Sequence, residues 1–64
     1  MKRNEYLFNK LQLLVDYGVK LLLNGNPATP AQVADTVDAD GRYRPGFAYS
    51  KEGDLTELNY VRIA

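Results

Sequence analysis

The chain contains no cysteine and no histidine among its 64 residues. The first absence excludes disulfides, and the two together remove the usual ligand sets of structural zinc. They also remove the commonest general base and the most reactive thiol nucleophile. There is no tryptophan and no surplus of charge: eight Lys and Arg face eight Asp and Glu, for a formal net charge of zero. A protein that binds nucleic acid through its overall field carries an excess of positive charge. Long apolar runs are also missing. The stretch after the basic opening MKRNEY is broken by Asn9, Lys10, Gln12 and Asp16, well short of the ~20 apolar residues of a membrane span. No small-residue cleavage site follows, so the expectation is a cytoplasmic protein without a secretory leader.

A chain of this length is one domain, residues 1–64, and buries only ~60% of the surface its unfolded form exposes. Without disulfides or metal, stability must come from close packing, oligomerisation or docking on a partner. Apolar residues make up 45% and charged residues 25% of the sequence, which is ordinary for a folded globule.

Residues 5–24, EYLFNKLQLLVDYGVKLLLN, predict a long N-terminal helix. Leu7, Leu11, Leu14, Gly18 and Leu21 recur at spacings of four and three, the period of one helix face. The stretch NGNP would end it, with Gly25 in the left-handed position and Pro27 blocking continuation. Glu5, Asn9, Gln12, Asp16 and Lys20 fall on one narrow stripe, leaving an apolar arc far wider than the ~100° of an ordinary surface helix. The wide arc predicts self-association through Leu7, Leu11, Leu14, Gly18 and Leu21, with Gly18 as a point of close approach.

Thr29, Pro30 and Gln32 form the signature of a capped helix start, so residues 30–37 predict a short second helix. Residues 42–63 predict a β-hairpin: RYRPGFAYS and LTELNYVRI are strand-like, and SKEGD between them suits a type I turn followed by Gly53 in the left-handed region. Leu58 and Tyr60 then share one face of the second strand, with Val61 and Ile63 on the other. The expected fold class is α+β: a long helix, a short helix and a C-terminal hairpin packed on the first helix. The expected assembly is a homodimer, formed by the helical seam or by the hairpin edge.

Three short stretches resemble known motifs. TPAQVADTV, residues 29–37, resembles the first helix of a helix-turn-helix. The DNA-reading helix of that motif would fall on DADGRYRPG, whose glycines and proline forbid it, so the expectation is a capped helix followed by a hairpin. TVDADGRYRPGF matches the calcium-binding EF-hand pattern at Asp38, Asp40 and Gly41. It lacks the pattern's first ligand and its final bidentate carboxylate, leaving an ordinary turn. YSKEGDLTELNY, residues 49–60, resembles one unit of the tyrosine-containing repeats of Rhs-type proteins. Those proteins stack many copies and this chain has one.

Function is constrained mainly by exclusion. With no His or Cys and with carboxylates scattered through helix ends and turns, no catalytic constellation is visible, and neither metal nor cofactor is expected. Five Tyr and two Phe exceed what so small a core holds, and Tyr is enriched at interfaces. The expectation is a non-catalytic interaction module, an accessory, adaptor or inhibitor acting through a homodimer or a larger protein. Its contact residues would be Arg42, Tyr43, Arg44, Phe47, Tyr49 and Tyr60. The alternative is a small dimeric DNA-binding protein using the hairpin with Arg42, Arg44 and Arg62, provided these share one face.

Overall fold

The computed structural model describes residues 5–63. The elements are α1 (Glu5–Asp16), β1 (Lys20–Leu23), β2 (Asn26–Pro27), α2 (Pro30–Ala39), β3 (Tyr43–Tyr49) and β4 (Leu55–Arg62). The four strands form one mixed sheet in the order β2-β1-β4-β3. Both helices pack on the same face of it, giving an α+β unit of two layers. Among the described residues no helix is long and apolar enough to cross a membrane.

The predicted 20-residue helix is interrupted. α1 stops at Asp16 because Gly18, with φ +92°, closes a Schellman cap. The Val19 N–H bonds the Leu14 carbonyl at 3.0 Å and the Gly18 N–H bonds the Val15 carbonyl at 2.9 Å. These are the two bonds that define the motif, and Val19 supplies its apolar contact by entering the core beside Leu14. Gly18 is therefore the helix terminator, a role the sequence pattern assigned to Gly25. No second backbone approaches it: a Cβ there would meet nothing within 4 Å.

The next four residues, KLLL, form β1. Asn24 and Gly25, with φ +52° and +82°, make the two-residue connection to β2 that positive φ at both positions allows. The turn is fastened to β4 by its own asparagine and by another. The Asn24 side chain accepts the Arg62 N–H at 3.0 Å, and the Asn59 side chain accepts the Gly25 N–H at 3.0 Å. With Asn24 N–H donating to the Tyr60 carbonyl at 2.8 Å, Asn24 extends the parallel β1–β4 ladder one rung past the strand.

α2 begins as the sequence predicts. Thr29 Oγ1 accepts the Gln32 N–H at 3.2 Å and Gln32 Oε1 accepts the Thr29 N–H at 2.9 Å, a complete capping box. The helix runs two residues further than expected, to Ala39. Its Val33 joins Leu11 of α1, Val19, Leu21 of β1 and Leu58 of β4 in the core. The sequence predicts the hairpin packed on α1, and Leu58 of β4 does share the core with Leu11 of α1. What the prediction lacked is β1, which pairs Leu21 with Leu58 in parallel register, so β4 is a central strand.

The hairpin turn also follows the sequence. Gly53 has φ +89°, its N–H reaches the Ser50 carbonyl at 3.0 Å, and Ser50 N–H reaches the Asp54 carbonyl at 2.8 Å. One feature was not legible: the β3–β4 register shifts between Ala48 and Tyr49, which pair with Glu57 and Leu55. Thr56 is the extra residue of a β-bulge. Without it, strict alternation would put Leu55 on the outer face with Glu57, Asn59 and Val61. The bulge turns Leu55 inward to the core.

Candidate interaction surface

Alternation along β3 and the observed register place Tyr43, Pro45, Phe47 and Tyr49 on the helix-side face, opposite Arg62, Tyr60, Leu58 and Leu55. The helices touch each other and β1 and reach as far as Leu58. β3 lies beyond them, and every β3 residue except Tyr43 is exposed. The core thus continues past its cover: Leu58 is 2% exposed, and its strand partner Phe47 is 54% exposed. Tyr49 is 62% exposed. Tyr60 is half-buried between these regions, and burial pushes its phenol above the ordinary value. Four of the six predicted contact residues, Tyr43, Phe47, Tyr49 and Tyr60, therefore share one continuous aromatic face.

The arginines do not join them. Arg44 pairs with Val61, one residue out of step with Arg62 and Tyr43, so it projects from the opposite face. Arg62 donates from Nε to Asp40 Oδ2 at 3.0 Å, and Arg42 Nε lies 4.0 Å from Asp40 Oδ1. The backbone N–H of Arg42 also donates to Asp40 Oδ1 at 3.1 Å. The Arg62 hydrogen bond and then the Arg42 N–H hold the Asp40 carboxyl below its ordinary value. Asp40 is thus the link between the end of α2 and the end of β4, and both its oxygens are engaged within the protein. Among the described residues no cluster of three or more acidic side chains is placed to hold a metal ion.

The predicted self-association residues do not form one helical stripe, because the helix ends before Gly18 and Leu21. Leu11 and Leu21 are core residues, and Leu7 and Leu14 are half-buried against them. Gly18 is in the cap. The outward face of α1 instead carries Tyr6 and Leu13 around Lys10, with Tyr17 just past the helix end; the three apolar residues are 79%, 55% and 80% exposed. The same apolar arc was visible in the sequence; which side of it faced inward was not.

The free edge of the sheet adds to the aromatic face. Ile63 N–H bonds the Arg42 carbonyl and Ser50 N–H bonds the Asp54 carbonyl. In an antiparallel ladder the bonded pairs alternate, so Arg44 and Gly46 point their backbone groups at β4. Tyr43, Pro45, Phe47 and Tyr49 point theirs outward. Pro45 has no N–H, and at an outward position it costs the hairpin nothing.

An open groove of about 420 Å³ lies between the β1–β2 turn and α2. Its polar lining includes Asn24 and Gln32, whose side chains are already engaged in the turn and the capping box. Comparison of the chain with protein-family models, with curated proteins and with solved structures gives no match.

Proposed function

We propose that this chain is a non-catalytic protein-interaction module, a small accessory, adaptor or inhibitor protein that works through a homodimer or a larger protein partner in a cytoplasmic setting. One observation carries the reading: the aromatic face of Tyr43, Phe47, Tyr49 and Tyr60 runs from the covered core onto an exposed edge strand. Exposed aromatic area continuous with a core is the composition of an interface centre. The DNA-binding alternative has less to support it. Arg62 is occupied by Asp40, and Arg44 projects from the opposite face, so the three arginines make no common phosphate-binding surface.

The test pairs solution mass by light scattering with affinity capture from a native lysate, using the parent chain and Phe47→Ser as baits. Phe47 is exposed, so the variant folds with the parent's circular dichroism. The expected result is an association, with itself or with a larger protein, that Phe47→Ser loses. A parent chain that stays monomeric and captures nothing beyond what Phe47→Ser captures would end this reading.

A further inference from the structure

We infer that the occupant of the β3 edge is a second copy of this chain, paired antiparallel about a two-fold axis through Gly46. The inference rests on the interaction-module reading and specifies its partner, its geometry and its register.

The register follows from backbone chemistry. Only Tyr43, Pro45, Phe47 and Tyr49 direct backbone groups outward, so hydrogen-bonded pairs between copies join odd-numbered residues to odd-numbered residues. With the axis at Gly46, Tyr43 and Tyr49 of the second copy exchange both their bonds, and Phe47 donates to the carbonyl of Pro45. Every outward donor is used, and only the missing proline N–H leaves a gap. Centred on Pro45, the ladder sets two prolines opposite each other and neither can donate. Centred on Phe47, Tyr43 falls beyond the end of the partner strand. Pro45 therefore selects one register.

Side chains favour the same register. On the helix-side face it sets Tyr43 against Tyr49 and Pro45 against Phe47, cross-strand pairs of the stabilising kind, and covers rings now exposed. On the other face it sets Arg44, the only charged residue of β3, opposite Ala48. Ala48 is itself paired with Glu57. Arg44 and Glu57 of the second copy then lie about 10 Å apart across two strand spacings, within the joint reach of their side chains over a methyl group. Among the described residues neither forms an ion pair in its own chain, although Lys20 lies opposite Glu57 in the β1–β4 register. The two-fold makes this complementary charge pair twice, and a net charge of zero opposes no approach. Assembly closes at the dimer: pairing consumes the β3 edge, and the opposite edge, β2, is only two residues long.

The chain has no cysteine, so one introduced thiol reports directly on the register. On the axis, Gly46 of the two copies would be a non-hydrogen-bonded pair with Cα atoms ~4.5 Å apart, a disulfide distance. A Cβ at Gly46 meets only the Asn59 carbonyl, at 3.4 Å, and its φ is not positive. The full chain carrying Gly46→Cys, under mild oxidation at a concentration where the parent is dimeric, is expected to convert to a disulfide-linked dimer. Ala48→Cys, facing Arg44 of the second copy and offset from its own counterpart by about 13 Å of strand, is expected to lag at least roughly tenfold. Independently, Arg44→Glu and Glu57→Arg should each weaken the dimer by roughly tenfold, and the double exchange should recover it. Equal crosslinking of the two thiols, or no recovery in the double exchange, overturns the register. A parent chain monomeric at high concentration overturns the inference altogether. A dimer lost on Leu13→Gln and untouched by Arg44→Glu would assign pairing to the outward face of α1, leaving the interaction-module reading standing while this inference fails.

Discussion

Gly18→Ala separates two structures of residues 17–24 by the sign of its effect. In the observed cap Gly18 sits at φ +92°, and a methyl group would meet nothing within 4 Å. Packing therefore contributes nothing to the change. What remains is the cost of holding an L-residue in left-handed backbone, about 1–2 kcal/mol. The reduced freedom of the unfolded chain offsets ~0.4–1 kcal/mol of it. The expected result is a loss of about 1 kcal/mol, or a drop in Tm of about 4–8 °C for a domain this small. Had the helix run through residue 18, the same substitution would add about 1 kcal/mol, since Ala exceeds Gly by that much inside a helix. Urea and thermal unfolding followed by circular dichroism resolve a difference of that size. They should be run at one protein concentration, because association shifts apparent stability. Gly18→Asn serves as the internal control and should lose less than Gly18→Ala, because Asn tolerates the left-handed region. A Gly18→Ala chain as stable as the parent or more stable would refute the cap, and with it the boundary between α1 and β1.

Three further outcomes follow from the same geometry. Leu11→Ala removes the side chain at the centre of the core, 1% exposed, and should cost about 3 kcal/mol, leaving the chain largely unfolded at room temperature by circular dichroism. Thr29→Ala removes one half of the capping box and should cost about 1 kcal/mol in urea unfolding. The Asp40 carboxyl is held below its ordinary value of 3.8 by Arg62 and the Arg42 N–H. It therefore contributes stability that is fully present above 3.8 and is lost as the pH falls through the lower folded value. Asp40→Asn should lower stability at neutral pH and flatten the acid limb of the Tm profile, and an unchanged acid limb would show that the link is not formed.

What could be read from the sequence was what neighbouring residues determine. Thr29, Pro30 and Gln32 announce α2 because a capping box closes within one turn of chain. Gly53 announces the hairpin because a five-residue turn carries its own hydrogen bonds. The aromatic face was legible for the same reason: Tyr43, Phe47 and Tyr49 alternate on one strand, and alternation needs no knowledge of the fold. The arginines failed this logic. Arg44 lies on β3, with Arg42 just before it, and Arg62 lies on β4, and only the β3–β4 register shows that Arg44 and Arg62 point to opposite sides.

Residues 17–24 mark where local reading ended. LLL has no period of its own and satisfies a helix face or a buried strand equally well. Asn24-Gly25 was a hairpin signal in plain view, outweighed by the helical spacing before it. The choice between them is made by β4, more than thirty residues away. The hairpin leaves one edge of that strand free, and pairing Leu21 with Leu58 and Leu23 with Tyr60 satisfies the backbone of both segments while burying leucine on the core. Strand pairing is non-local, so its free energy appears in no window of the sequence. The sequence by itself determined the capping box of α2, the hairpin turn and the alternating faces of β3. The tertiary structure alone decided that the leucine run became a strand, and through it which side of α1 faced inward and which aromatics stayed outside.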